Sequence, residues 1–190
     1  MQEKYLKYLT LESKKFVKRN KLWDILLYGS SVKGKTNVGD VDILLIFEDE
    51  SLKKRTDLAH DFKEIVKQDK KIDIKTINLK ELFDKDFLAR QGIFIEGYSL
   101  LFNENFSKKI GFVGKSIFSY SLKKLSHNEK TKFIYALIGR RNEAGILKIT
   151  EAVSLGKGAV NVPIKNSLMF EEFLQKWKID YIKKNILEEI

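Results

Sequence analysis

The stretch "LLYGSSVKGKTNVGDVDILLIF", residues 26–47, constrains the fold more than any other part of the chain. Gly29 to Thr36 spells G-x-x-x-x-G-K-T, the pattern of a P-loop. A P-loop needs a strand before it and a helix of several turns after it, whose first N–H groups hold phosphate. "LWDILLY", 22–28, supplies the strand. The helix has no room. After Thr36 only Asn37, Val38 and Gly39 precede the next apolar strand, "DVDILLIF", 40–47. A parallel crossover takes about ten or more residues including its helix. The two strands are therefore expected to be antiparallel neighbours, and the P-loop reading is set aside.

The second strand holds the chemistry instead. Side chains alternate along a strand, so Asp40 and Asp42 share one face while Val41 and Ile43 pack into the other. Two carboxylates that close repel each other, and one pKa rises unless a cation sits between them. Hard oxygen ligands select Mg²⁺ or Mn²⁺ for that role. Asp73, between Ile72 and Ile74 in "IDIKTIN", is the candidate third acid. An acid there is out of place in a core strand unless its face is functional. Gly29 and Ser30 follow the first strand directly. Glycine lets backbone approach a phosphate, and a helical turn opening at Ser30 would aim N–H groups at it. Gly29, Ser30, Ser31 and Lys33 are the candidate nucleotide-phosphate contacts.

Periodicity fills in the rest. Residues 4–19 read as a helix with Leu6, Leu9, Phe16 and Val17 inward. Ser51 starts a helix to about residue 68, with Leu58, Phe62 and Ile65 on its stripe. Residues 72–78 read as a strand, 79–90 as a helix and "EGYSLLF", 96–102, as a closing strand. A polar stretch from Asn103 to Lys109 marks a boundary. Beyond it, Ser126 to Glu129 fits a capping box before a helix to about Ile138. Residues 146–154 and 159–164 form a hairpin around Gly156-Lys157-Gly158. Residues 167–178 form a helix with Phe170, Phe173, Leu174 and Trp177 at i, i+3, i+4 and i+7. The expected class is α/β (α+β). A mixed-sheet domain with helices on its faces spans 1–105, and a small basic α+β domain spans 106–190.

Gly29-Ser30-x-x-x-Gly34, then Asp40-x-Asp42 in an apolar strand, then a single strand acid, resembles the DNA polymerase β-like nucleotidyltransferase superfamily, in its small minimal members. The resemblance covers roughly residues 5–103. It implies that Asp40 and Asp42 hold the metals, that Asp73 helps activate the acceptor hydroxyl, and that Gly29 and Ser30 contact the nucleotide phosphates. It also implies a metal-dependent transfer of NMP from an NTP to a hydroxyl with release of pyrophosphate. Many small members carry Arg where Lys33 stands and Ser where Gly39 stands. Lysine lacks the bidentate fork of arginine.

Charge bears on the acceptor. The net charge is +10. Residues 1–105 carry 20 Lys and Arg against 18 Asp and Glu, and residues 106–190 carry 16 against 8. A basic second half favours a polyanion. Lys123, Lys124, Lys130, Lys132, Arg140 and Arg141, with Phe118, Tyr120 and Tyr135 among them, form a candidate basic-aromatic surface for an RNA strand. A partner protein is the second reading, as in small nucleotidyltransferases that act as antitoxins on a toxin. Such a toxin has an Arg-to-His catalytic motif, which His60 in mid-helix and His127 in a capping turn do not supply, so the second half is not read as a fused toxin. A small cationic acceptor such as an aminoglycoside matches a basic chain poorly. A catalytically inactive nucleic-acid-binding protein is the reading outside enzymes. With no cysteine, no signal-peptide layout and no long apolar run, a cytoplasmic location and no membrane partner are expected.

Overall fold

The computed structural model describes residues 3–32, 40–67, 71–141 and 143–190. The chain forms two compact units, Met1–Gly111 and Phe112–Ile190.

The first unit opens with α1 (Glu3–Arg19) and β1 (Leu22–Tyr28), which ends in a 3₁₀ turn, Gly29–Val32. β2 (Asp40–Phe47), α2 (Leu52–Val66) and β3 (Lys71–Asn78) follow. Short elements complete it: α3 (Leu79–Leu82), α4 (Arg90–Glu96), β4 (Tyr98–Ser99), β5 (Glu104–Asn105) and α5 (Phe106–Lys109). The sheet order is β3-β2-β1-β4-β5. β1 runs antiparallel to β2 and β4, whereas β2 and β3 are parallel, so the sheet is mixed. The antiparallel β1–β2 pair is what the short link after Thr36 requires.

Both faces of this sheet are covered over most of their area. Ile25, Leu27, Val41, Ile43 and Leu45 pack on one side with Leu9 and Phe16 of α1 and Phe62 and Val66 of α2. Leu26, Leu44, Ile46 and Ile77 pack on the other with Leu82, Ile93 and Phe106. β2 is thus apolar on both faces from Ile43 onward, as suits a doubly covered strand.

Several expected elements differ. The helix expected over 79–90 is only Leu79–Leu82, because Phe83 caps it and the chain turns through Asp84 to Asp86 before α4. The closing strand expected over 96–102 shrinks to Tyr98–Ser99, with Glu96 ending a helix. On α2, Leu58 and Phe62 pack inward as expected, with Arg55 and Val66 also buried, while Ile65 is 40% exposed. The division falls after Gly111 rather than after residue 105, because Phe106 is fully buried among Leu26, Leu44 and Ile93.

The second unit contains β6 (Phe112–Ser121), α6 (His127–Ile138), β7 (Gly139–Arg140), β8 (Glu143–Ala144), α7 (Ile146–Ile149), β9 (Val153–Gly156), β10 (Ala159–Pro163), α8 (Ser167–Lys176) and β11 (Asp180–Glu189). Its main sheet has the order β11-β6-β10-β9. β6 is its spine, paired over ten residues with β11 and over five with β10. Ser126 caps α6 with the capping box read from sequence. The hairpin is β9–β10, and its first arm is shortened because 146–149 are helical. Phe118, Phe133, Val160, Val162, Phe170 and Leu174 form the core. Phe118 is therefore a core ring and not part of a surface for RNA.

Candidate active site

Strand register assembles the acids. Asp42 lies opposite Tyr28 on β1 and opposite Asp73 on β3, so the three residues form one row across three strands. Asp40 stands two residues back on β2, on the same face. Its register partner on β3 is Lys71, and their side chains form an ion pair at 3.6 Å. The residues that precede and follow this row differ in cover. Leu26, Leu44 and Ile46 are sealed under helices, whereas Asp40 and Asp73 are exposed and Asp42 is half-buried. The acids thus occupy the uncovered end of an otherwise buried face.

Gly29 joins this row from β1. Its φ is +70°, and a Cβ on it would strike the Asp42 carboxylate. Only glycine tolerates both conditions. The backbones of Ser30 and Ser31 lie in the 3₁₀ turn; their side chains, and all of Lys33, Lys35 and Gly39, lie outside the described residues.

The electrostatics follow from the row. Burial raises the Asp42 pKa above the usual carboxylate range, Asp73 and Asp40 raise it further, and Lys75 opposes them. Tyr28 is pushed up to about 12 by burial and then by Asp42 and Asp73. Tyr28, Lys71 and Lys75 are site neighbours that no motif marks. Their signal was strand alternation: positions 71, 73 and 75 share a face, and Tyr28 ends the strand before Gly29. Asp73 lies on the edge strand and is exposed, so its polarity is not anomalous in a core; its place beside Asp42 is what gives it interest.

Among the described residues, no three acidic or histidine side chains converge as a ready-made metal cage. The donor set nonetheless fits a hard divalent ion. Mg²⁺ is commonly held by one or two carboxylates plus substrate phosphates and water, not by an all-protein cage. Burial first, and then repulsion from Asp73 and Asp40, raises the Asp42 pKa, and a bound cation would relieve both by favouring the charged carboxylate. Asp40, Asp42 and Asp73 are the carboxylates from which one or two would hold it, with substrate phosphate and water completing the set.

Residues 12–99 match the family model described as polymerase beta, nucleotidyltransferase. Two solved structures are similar. One is a mutant of the MntA–HpeT toxin–antitoxin, at 22% identity and a TM-score of 0.36, covering 48% of this chain and 71% of that one. The other is a toxin–antitoxin with AMP-PNP, at 23% identity and 0.37, with the same coverage. No curated protein matches. The family match spans the Gly29 turn and all three acids, so the part of the chain that is similar to the polymerase beta nucleotidyltransferases is the part that holds the site.

Proposed function

We propose that the chain transfers NMP from an NTP to the 3′-hydroxyl of an RNA acceptor, in the presence of Mg²⁺ or Mn²⁺. The observation that carries this reading is the row Tyr28–Asp42–Asp73, with Asp40 beside it and Gly29 against Asp42. A bond forms between the acceptor oxygen and the α-phosphorus, the α–β bridging bond breaks, and pyrophosphate leaves. Asp73, exposed at the edge of the row, takes the hydroxyl proton. The Gly29–Val32 turn offers backbone N–H groups to the triphosphate. A divalent ion held by these acids would supply charge neutralisation for the phosphoryl transfer.

The second unit supports RNA as acceptor. From Phe112 it carries 14 Lys and Arg against 8 Asp and Glu. Four of those acids already pair with lysines: Glu188 with Lys115, Asp180 with Lys124, Glu151 with Lys165 and Glu171 with Lys183. Lys123, Lys130, Lys132 and Arg141 have no ion pair among the described residues, and the Arg140 guanidinium lies 4.7 Å from the exposed Tyr135 ring. A single strand binds to such cation–aromatic surfaces.

The test incubates the protein with each α-labelled NTP, Mg²⁺ and cell extract, then separates RNA, protein and small molecules. Label in RNA that Asp42→Ala abolishes, with the fold intact, is the expected result. Label in protein instead moves the reading to a partner protein. An Asp42→Ala variant that labels as well as wild type removes this mechanism altogether.

A further inference from the structure

Strand β3 brings two cations to the acid face. Lys71, Asp73 and Lys75 stand at i, i+2 and i+4, so their side chains leave the same face of the sheet. Register makes that the acid face: Asp73 pairs with Asp42, and Lys71 with Asp40. All three are exposed, and β3 is the edge strand, so among the described residues no strand lies against its outer side. Lys71 and Lys75 are about 13 Å apart along the strand, with Asp73 midway.

The two lysines occupy different ends of the site. Lys71 is level with Asp40, at the end of the sheet where β1 turns away at Gly29. Its side chain is 81% exposed, and its ammonium is only loosely paired with Asp40, at 3.6 Å. Lys75 is level with Leu44, on the opposite side of Asp73 from the Gly29 turn. Its charge acts on Asp42 from that side.

A nucleic-acid 3′ end undergoing extension has one anion on each flank. One is its own last backbone phosphate and the other is the incoming triphosphate. Both must approach three carboxylates, which repel them, so each flank needs a cation. We infer that Lys75 holds the last backbone phosphate of a nucleic-acid acceptor whose 3′-hydroxyl lies at Asp73, and that Lys71 serves the triphosphate on the other side. This rests on the nucleotidyl-transfer reading above and adds the acceptor-phosphate site to it. Lysines also stand on edge strands to discourage pairing with other chains. That role needs exposure alone and would not divide two substrates between two positions.

The test uses the full chain, ATP, Mg²⁺ and a single-stranded RNA dodecamer with a free 3′-hydroxyl. Lys75→Gln should raise the KM for RNA about three- to tenfold and lower the salt slope of RNA binding by about one, with a smaller effect on the KM for ATP. Lys71→Gln should show the reverse preference. Lys75→Arg should restore much of the RNA affinity, since a phosphate accepts either cation. Circular dichroism checks that these exposed substitutions leave the fold intact. If wild type extends the RNA and Lys75→Gln shifts both KM values equally or neither, the inference fails while the reading of the site stands. If wild type gives no transfer to any RNA and labels another class of acceptor, the reading fails and takes the inference with it.

Discussion

Gly29 lies so close to the Asp42 carboxylate that its missing Cβ is part of the site. Its φ of +70° also belongs to the left-handed region that favours glycine. Gly29→Ala therefore meets two penalties: backbone strain of about 1–2 kcal/mol and a methyl group pushing Asp42 out of the row. The expected outcome is at least a tenfold loss of transfer with a modest drop in thermal midpoint. Steady-state kinetics beside a thermal melt checks it. Full activity in Gly29→Ala would mean that Asp42 need not stand where the row puts it.

How much of this site is visible in the letters alone depends on distance along the chain. Asp40 and Asp42 are two residues apart on one strand, so alternation alone puts them on a common face. Asp73 reaches Asp42 through parallel pairing of β2 and β3 across α2, a relation no local pattern encodes. β6 and β11 escape periodicity for another reason. β6 carries Gly114 and Ser116 at its buried positions, and β11 places Lys183 at an inward one, so neither alternates cleanly. Lys183, for instance, faces Phe118 and pairs with Glu171, a partner twelve residues away. The short elements after β3 escape for a third. Asn78 and Glu81 start a helix locally, but Phe83 caps it after one turn and the chain turns again through Asp84 to Phe87, which helical spacing does not report.

Phe106 fixes where the first unit ends. It is fully buried, with Trp23 and Phe94 at ring distances of 5.9 and 5.6 Å. Removing such a ring from a core costs about 3–5 kcal/mol. A chain cut after residue 105 should therefore lack cooperative unfolding, whereas one cut after residue 111 should unfold in a single sharp transition. Urea denaturation followed by circular dichroism separates the two. Equal stability of both fragments would place the boundary back at residue 105.

Arg55 ties α2 to α3 across the end of the sheet. Its guanidinium is buried, donating from Nη1 to Glu81 Oε2 at 2.6 Å and from Nη2 to Oε1 at 3.4 Å. Glu81 also accepts from the Asn78 backbone N–H at 2.7 Å. The Arg55 hydrogen bond and charge hold the Glu81 pKa below its ordinary value. A lowered acid contributes stability that is present above its unfolded pKa and is lost as pH falls through the folded one. Glu81→Gln should thus cost stability at pH 7 and progressively less as pH falls below the ordinary glutamate value, where wild type loses the same pair. Since the Glu81 side chain is 40% exposed, the cost at pH 7 is about 1–2 kcal/mol, less than for a fully buried pair. Urea midpoints of both proteins from pH 3 to pH 7 measure it. A gap between them that is constant with pH would assign the loss to shape and not to charge.

Asp24 presents the opposite sign. It is fully buried in β1 and accepts from Ser99 Oγ at 2.8 Å, from the Ile25 N–H at 2.7 Å and from Lys109 Nζ at 3.4 Å. Lys109 itself lies over the Trp23 ring at 3.6 Å, so the last turn of the first unit is pinned to its first strand. Burial outweighs these partners and raises the Asp24 pKa. A raised acid contributes its stability in the protonated form, fully below the ordinary carboxylate value, and loses it as pH rises through the folded pKa. Asp24→Asn keeps an acceptor for Ser99 and Ile25 but carries no charge at any pH. Wild type should therefore lose stability relative to Asp24→Asn as pH rises from about 4 into the neutral range, with the direction fixed by the burial-dominated shift. If the difference instead grows in favour of wild type with rising pH, the Lys109 pairing outweighs burial, and Asp24 is a stabilising buried charge.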